Sequence, residues 1–315
     1  MTSLPPWMSD LHRWMTGSAG NRIVRALLAV ALGASLACRS STRPAVPTPS
    51  KAGWVETWSD DFDGIAGGRI DETKWSYDRT DGCAQGNCGW GNKEKEYYTD
   101  SPSNISLNGQ GQLMIVARIA PADLRCYYGR CLYTSAKITT RDRMWAEPGR
   151  VEARIRLSAG QGLWPAFWML GRDIAALGWP AGGEIDIMEN KGSEPTISSS
   201  AVHGPGYSGA TPFAHRNRLA RGSLTYDFHV FAVEWDSLGA KFYVDDVVHY
   251  TVTRKALQRY GRSILGQPFY LILNLAVGGN FDGDPKSDGI FPATMLVDYV
   301  RVYKAARDQP AVQRP

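Results

Sequence analysis

Apolar and polar residues alternate with a period of two along most of the chain beyond residue 54. The run V-E-A-R-I-R-L at 151–157 has an apolar residue at every second position. In the run L-V-D-Y-V-R-V-Y at 296–303, uninterrupted alternation puts Leu296 and Val300 on one face and Val297 on the other. This period is typical of strands with one buried face, so both runs are predicted strands.

Turn signals separate these runs. Phe242 and Val247 flank Asp245 and Asp246, a pair that predicts a hairpin turn. The helical period of 3.6 is nearly absent, and the one predicted helix covers Arg254 to Tyr260. The pattern predicts an all-β protein built as a two-sheet sandwich.

One domain accounts for most of the chain. Residues 54–304 contain no linker, no repeat of fixed period and no low-complexity break, and single all-β domains reach this size. Residues 305–315 carry no pattern and are predicted to be a disordered tail.

The first 53 residues differ from the rest. An uncharged run at 26–37 follows Arg22 and Arg25, and it is too short for a membrane span but suits a signal for export. A-S-L-A-C at 34–38 resembles a lipoprotein signal, so residues 1–38 are predicted to be a lipoprotein-type signal peptide with a lipid on Cys38. An ordinary cleaved signal peptide is the alternative. The Pro/Ser/Thr-rich residues 39–53 suit a tether.

Composition narrows the classes of function. The 315 residues are 43% hydrophobic and 21% charged, with 35 Lys and Arg against 31 acidic residues. A balance this close to neutral gives no electrostatic reason to expect a nucleic-acid partner. Nine of the 11 tryptophans lie beyond residue 38, more than a core needs, so some are predicted to face solvent or a flat ligand such as a sugar.

Five cysteines become an even set if Cys38 carries a lipid. The other four allow three connectivities, and their C-x4-C spacing favours Cys83 with Cys88 and Cys126 with Cys131. A four-thiolate zinc site is the alternative interpretation.

Three carboxylates cluster in G-G-E-I-D-I-M-E-N at 182–190. On a regular strand Glu184 and Asp186 share one face, while Glu189 turns inward with the isoleucines. A buried unpaired acid is costly, and one extra residue at Ile187 or Met188 returns Glu189 to the first face. The sequence therefore predicts a β-bulge.

Two glutamates on one face suit the cleavage of a glycosidic bond, since one can attack the anomeric carbon while the other protonates the leaving oxygen. Asp186 between them can hydrogen-bond the nucleophile and help to keep the acid protonated. A solvated acidic face on an edge strand is the alternative.

Several segments together resemble glycoside hydrolase family 16, in the laminarinase-like branch with E-x-D-x-x-E. The resemblance implies a concanavalin A-like jelly roll with a cleft across its concave sheet. It covers nearly all of 54–304. The matching segments are G-W-G-N-K-E-K-E-Y-Y-T at 89–99, G-R-V-E-A-R-I-R-L at 149–157, G-L-W-P-A-F-W-M-L-G at 162–171, G-E-I-D-I-M-E at 183–189, V-H-G-P-G-Y-S-G at 202–209 and N-L-A-V-G-G-N at 274–280.

The resemblance assigns roles to the three acids: Glu184 as nucleophile, Asp186 as assisting carboxylate and Glu189 as acid/base. It puts Trp164 and Trp168 in the cleft, where an indole can stack on a pyranose, and we expect one of the two to be largely buried.

Further substrate-binding candidates follow from the same resemblance. Trp235 is a weaker sugar-stacking candidate that could instead be structural, and His203 enters a loop that borders the catalytic centre in this branch. The cleft-rim segment supplies Trp90, Asn92 and Glu94. Relatives often have Gln at the position of Glu96, which here is expected to bond sugar hydroxyls or to face water.

Metal binding is expected only as a structural calcium, with Asp298 and Asp61 as candidate ligands or else as a solvated acid pair. The run D-G-D-P-K-S-D-G at 282–289 lacks the spacing of a calcium loop and is predicted to be a turn. No cofactor is expected for catalysis.

The sequence thus predicts an exported, lipid-anchored, monomeric endo-acting β-1,3-glucanase that retains anomeric configuration and acts on laminarin-like or mixed-linkage glucan. Within the same family, an agarase- or carrageenase-like galactan hydrolase and a transglycosylase are alternatives. An inactive, lectin-like glycan-binding sandwich is the alternative from another class.

Overall fold

The computed structural model describes residues 51–306 except residue 262. The predicted signal peptide with Cys38, and most of the predicted tether and tail, lie outside these residues. The strands in chain order are β1 (Trp54–Asp60), β2 (Ser76–Asp78), β3 (Glu96–Tyr98), β4 (Ile105–Leu107), β5 (Leu113–Ile119), β6 (Arg125–Cys126), β7 (Gly129–Arg130), β8 (Tyr133–Ser135), β9 (Lys137–Thr139), β10 (Gly149–Arg156), β11 (Leu163–Gly171), β12 (Glu184–Glu189), β13 (Ile197–His203), β14 (Phe213–Arg218), β15 (His229–Asp236), β16 (Gly239–Val244), β17 (Val247–Thr253), β18 (Phe269–Val277) and β19 (Ala293–Ala305).

Two large sheets form the domain, as predicted. One has ten strands in the order β17-β16-β15-β10-β19-β5-β8-β3, with β1 beside β19 and β4 beside β5. The other has seven, in the order β14-β13-β12-β11-β18-β9-β2, and we call it the site sheet because it carries the carboxylate strand. Strands β6 and β7 form a separate small hairpin.

Helices are few. The α-helices of the described residues are α1 (Ile174–Leu177), which was not predicted, and α2 (Arg254–Gln258), which lies within the predicted helix. Short 3₁₀ helices cover Cys83–Gln85, Cys88–Gly91 and Asp288–Ile290. Thr253 begins α2 by accepting a hydrogen bond from the Ala256 amide. No helix in the described part of the chain is long and apolar enough to cross a membrane.

The core lies between the two sheets. Ile155 of β10 and Phe231 of β15 come from the ten-stranded sheet and are fully buried, and Phe167 of β11 and Ile185 of β12 meet them from the site sheet. The predicted hairpin is confirmed, with Asp245 and Asp246 at positive φ between β16 and β17, as a tight hairpin turn requires.

The last strand departs from the predicted alternation. Met295 and Val297 are buried, but so are Val300 and Val302, and Leu296 is only half-buried. The register against β10 shifts at Asp298, so this strand contains a bulge that changes which parity faces the core. The expectation that Leu296 and Val300 share a face was wrong for this reason.

Both predicted disulfides are present, Cys83–Cys88 and Cys126–Cys131, and they leave no thiolates there for zinc. Each closes a short loop at the edge of the domain, so the stability that it contributes is local.

Candidate active site

The carboxylate strand β12 contains the predicted bulge. Asp186 pairs with Trp168 and Met188 with Phe167, so Ile187 has no partner on β11. Ile185, Ile187 and Met188 are all buried in the core. The extra residue turns Glu189 out of the core, to the side that carries Glu184 and Asp186.

The carboxyl group of Glu184 lies near the indole of Trp179 and the imidazole of His203. Its Oε2 accepts a hydrogen bond of 3.0 Å from Trp179 Nε1, and its Oε1 is 3.7 Å from His203 Nε2. Burial raises the pKa of Glu184 well above its usual range and the charge of Asp186 raises it further, while His203 and the Trp179 N–H act in the opposite direction.

Asp186 is the most enclosed of the three acids, with 4% of its surface exposed. Its Oδ2 lies 3.1 Å from His203 Nε2, and His203 is the cross-strand neighbour of Glu184 on β13. Burial raises the pKa of Asp186 to about 8. His203 thus contacts both carboxylates from the adjacent strand, at the position expected from the sequence.

Glu189 accepts a hydrogen bond of 2.9 Å from Trp164 Nε1. Burial raises its pKa to about 8, and the charge of Asp186 adds to the effect. A carboxyl group with this pKa holds its proton at neutral pH. The strand therefore presents a proton donor at Glu189, and at Glu184 a carboxyl group whose ionised form is favoured by His203 and by the Trp179 N–H.

Trp164 and Trp168 both lie on the outward face of β11. Each is half-buried, so the expectation that one would be largely buried was wrong. Trp164 stacks on Phe281 at 4.5 Å between ring centroids, and Trp168 donates through Nε1 to Asn274 Oδ1 at 2.7 Å. Strand parity sends Phe167, between them, to the core instead.

Trp235 does not belong to the site, which corrects the sequence-based assignment. It is 3% exposed and lies on β15 of the ten-stranded sheet. Its indole turns into the core between the sheets and packs edge-on against Phe269 at 6.1 Å. The sequence motif around it marks a core strand.

The rim segment, which contains Trp90, Asn92 and Glu94, lies against the site sheet. Trp90 is half-buried, and the Lys137 ammonium lies 3.8 Å from its ring centroid. Asn92 Nδ2 donates to Glu94 Oε1 at 3.1 Å. Glu94 is 5% exposed and Glu96 is fully buried, so the expectation that Glu96 faces water or sugar hydroxyls was wrong.

Four contacts in the site were not anticipated. Trp179, Phe281, Asn274 and Lys137 each touch a carboxylate or a tryptophan named above. One signal could have identified Trp179: a tryptophan in a Gly-Trp-Pro segment directly before the carboxylate strand is a poor core residue, and it is 51% exposed. Phe281, Asn274 and Lys137 could not be identified from sequence, because they reach the site only through the packing of distant strands.

The two calcium candidates are each engaged by an arginine. Asp298 Oδ2 accepts from Arg154 at 2.8 Å, and Asp61 Oδ1 accepts from Arg301 at 3.0 Å. Among the described residues, neither belongs to a cluster of acidic or histidine ligands. A cation would have to displace the guanidinium groups, so these side chains fit ion pairs and do not fit a shared calcium.

The family model for glycosyl hydrolases family 16 matches residues 84–301. Glucan endo-1,3-beta-glucosidase A1 of Niallia circulans is 38% identical in an alignment of 279 positions that covers 81% of this chain but 39% of that protein. Beta-glucanase of Rhodothermus marinus is 38% identical over 261 residues, 80% of this chain and 85% of the relative.

A solved structure is similar over the same region. The endo-beta-1,3-glucanase from Pyrococcus furiosus superposes with a TM-score of 0.75 at 43% identity, covering 80% of this chain and 95% of that one. The two proteins are therefore similar in sequence as well as in their two-sheet fold.

Proposed function

The chain belongs to glycosyl hydrolase family 16, and from this premise we propose that it hydrolyses internal β-1,3-glucosidic bonds of laminarin-like or mixed-linkage glucans with retention. The observation that carries the proposal is the bulged strand β12, which holds Glu184, Asp186 and Glu189 on one side of the site sheet. The names of the similar proteins support the same reaction.

In the first step, the Glu184 carboxylate attacks the anomeric carbon and the bond to the leaving oxygen breaks. Glu189 transfers its proton to that oxygen, so the shorter glucan leaves as a neutral alcohol and a glycosyl ester remains on Glu184. The raised pKa of Glu189, about 8, keeps this proton available at neutral pH.

In the second step, Glu189 is a carboxylate and removes a proton from water. The hydroxide equivalent attacks the anomeric carbon, the ester bond breaks, and Glu184 leaves as a carboxylate. Two inversions give net retention, and both glutamates return to their starting states. With a sugar hydroxyl in place of water the same step is transglycosylation.

Asp186 and His203 are positioning residues in this scheme. Asp186 lies between the glutamates in sequence, and its charge raises the pKa of both. His203 contacts Asp186 at 3.1 Å and Glu184 at 3.7 Å, and so limits the rotation of both carboxylates. Trp179 restrains Glu184 from the other side.

Neutral glucan suits the site better than sulfated galactan. Lys137, beside the Trp90 ring, contacts Asp78 at 3.4 Å, so its charge is already paired and is not free to bind a sulfate ester. The half-exposed indoles suit the C–H faces of uncharged pyranoses.

The test offers the purified protein laminarin, lichenan, agarose and carrageenan in separate reactions. We expect reducing ends from laminarin and lichenan, with the β-anomer formed first in proton NMR, and a loss of at least about a thousandfold in Glu184→Gln and Glu189→Gln. Release from the galactans alone would overturn the substrate. Undiminished release by Glu184→Gln would overturn the site, and binding without any release would favour the lectin.

We also propose that the protein is exported and anchored by a lipid on Cys38, and that it acts as a monomer. The export signal at 26–37 and the even number of remaining cysteines, paired in two disulfides, support this location. A Cys38→Ser variant should move from the membrane fraction to the soluble fraction. An unchanged distribution would contradict the anchor.

A further inference from the structure

Two acidic residues outside the proposed catalytic set are enclosed beside the site. Glu94 is 5% exposed and Glu96 is not exposed at all, and the two carboxyl groups lie close enough for the charge of Glu96 to raise the pKa of Glu94. Two residues apart on an extended segment, they project to the same side. Buried acids this close cannot both carry a charge without a large electrostatic cost.

The hydrogen bonds of the pair are incomplete in a specific way. Glu94 Oε1 accepts from Asn92 Nδ2 at 3.1 Å, and Glu96 Oε2 accepts from the Val277 amide at 2.7 Å. Glu96 Oε1 is buried with no donor among the described residues. A proton on Glu94 would supply the missing donor and remove one of the two charges.

We propose that Glu94 and Glu96 share one proton in the active protein, and that this acid pair positions the sugar-binding face of Trp168. The positioning part rests on the function proposed above. The acid pair does not touch substrate in this proposal, so both residues are positioning residues and neither is catalytic.

A chain of side chains joins the acid pair to the cleft. Tyr98, next on the same face of β3, is buried near enough to Glu96 for the charge of Glu96 to raise the pKa of Tyr98, and its hydroxyl accepts a hydrogen bond of 3.0 Å from Asn274 Nδ2. Asn274 Oδ1 accepts from Trp168 Nε1 at 2.7 Å, and Trp168 is the cross-strand partner of Asp186. A second charge on the pair would disturb Tyr98 first and Trp168 through it.

The backbone leaves the pair little freedom to separate. Lys95, between the two acids, donates its amide to the Val277 carbonyl at the end of β18. Gly279 lies so close to the rim segment that a Cβ there would be 2.5 Å from the Asn92 carbonyl. These contacts hold the rim segment against the end of β18 and limit how far the two carboxyl groups can move apart.

Other charged and titratable groups surround the pair. Lys137 on β9 favours ionisation of Glu94, and the charge of Glu94 in turn raises the pKa of Glu189 on β12. Tyr127 donates its hydroxyl to the Glu94 carbonyl. Burial raises the pKa of Glu94 well above its usual range and raises that of Glu96 as well, and the mutual repulsion adds to the effect on Glu94.

The shared proton makes stability depend on pH with a defined sign. Glutamates in the unfolded chain lose their protons near pH 4.3, whereas the folded pair keeps one, so folding takes up a proton above that pH. The stability from this pair is therefore complete below about pH 4.3 and falls as pH rises toward the raised pKa of the folded pair.

Glu96→Gln tests the shared proton. The amide can accept from Val277 and donate to Glu94, so it keeps the hydrogen bonds but removes the repulsion from a second carboxylate, and Glu94 should then lose its proton at a lower pH than the parent pair does. Relative to the parent, the unfolding equilibrium constant of Glu96→Gln should fall by up to about tenfold per pH unit between pH 5 and 8, measured by urea unfolding. The control Glu72→Gln, at an exposed glutamate, should keep a ratio within about twofold.

Glu96→Leu and kinetics on β-1,3-glucan test the positioning. We expect Glu96→Gln to keep kcat/KM at pH 6 and to extend its alkaline limb, because Glu94 then ionises at a lower pH and its charge raises the pKa of Glu189. Glu96→Leu, which breaks the chain to Tyr98, should raise KM at every pH.

The outcomes separate the two proposals. A pH-independent stability ratio for Glu96→Gln overturns the shared proton, whether or not the parent cleaves glucan. An unchanged KM in a folded Glu96→Leu overturns the positioning. If the parent releases no sugar, the proposed function fails while the unfolding result still decides the shared proton.

Discussion

Indole N–H groups hold the two outer carboxylates of β12. Trp179 donates to Glu184 and Trp164 donates to Glu189, each at about 3 Å. Each N–H stabilises the ionised form of its acid and so lowers the pKa of that carboxyl group. Burial exceeds this effect at both sites, so both pKa values remain raised.

Trp179→Phe tests the donor at the residue scale. The ring is kept and the N–H is lost, so we expect kcat/KM to fall roughly tenfold, the low end for a bond to a charged group because Trp179 is half exposed. The pKa of Glu184 should rise, which moves the acidic limb of the pH profile to higher pH while the alkaline limb stays. Trp58→Phe, at a tryptophan of the ten-stranded sheet, is the control, and equal effects of the two changes would contradict the role of the N–H.

At the scale of elements, bulges shift the register of several strands, and β12 and β19 differ in whether the sequence reveals the bulge. In β12 the sequence reveals the bulge, because an acid would otherwise enter the core. In β19 both parities contain apolar residues, so nothing in the sequence marks the shift at Asp298. The bulge of β12 was predictable because a regular strand there would bury a charge, and β19 offers no such signal.

Ser200 supports the bulge of β12. Its hydroxyl donates to the Ile187 carbonyl at 2.8 Å and both residues are buried. Ser200→Ala should lower the free energy of unfolding by about 1–2 kcal/mol and reduce kcat, because a buried carbonyl loses its donor and Glu189 its fixed position.

Ser198→Ala is the matched control for this change. Ser198 is buried on the same strand, but its hydroxyl has no partner among the described residues. Its removal should leave stability unchanged or slightly higher. Urea unfolding and kcat of the two variants give the comparison, and equal losses in both would show that the bulge does not depend on Ser200.

At the scale of the whole molecule, the groups proposed for catalysis and a buried charge network lie on different sheets. The site sheet carries the carboxylates, and the ten-stranded sheet contains a buried charge network around Arg150. This guanidinium is 1% exposed and contacts Glu152, Glu234 and Asp246 at 2.8–3.0 Å. The network joins β10 to β15 and to the hairpin turn that follows β16.

Arg150→Met separates stability from activity. Buried Glu152 then keeps Lys51 as its only charged partner, so the free energy of unfolding should fall by about 1.5–3 kcal/mol, the range for a lost hydrogen bond to a charged group. The kcat of the folded protein should not change, because the network lies on the other sheet. Arg79→Met, at an exposed pair with Asp100, should cost less than about 1 kcal/mol. A large loss of kcat with unchanged stability would contradict this division.

Local sequence patterns determined the fold class, the disulfide pairs and the shape of the carboxylate strand. The period of two predicted the sandwich, the C-x4-C spacing favoured the disulfides that form, and the burial cost of Glu189 predicted the bulge at Ile187. Each of these features depends on only a few neighbouring residues, through strand geometry, short spacing or the free-energy cost of burying an unpaired charge.

Only the tertiary structure decided which aromatic and acidic side chains share a site. Trp164 and Trp235 lie in similar apolar strands, and they differ because one strand is in the site sheet and the other in the ten-stranded sheet. The enclosure of Glu96 depends on β18, 181 residues away. Burial and partner distances arise when distant strands pack, and no local pattern contains them.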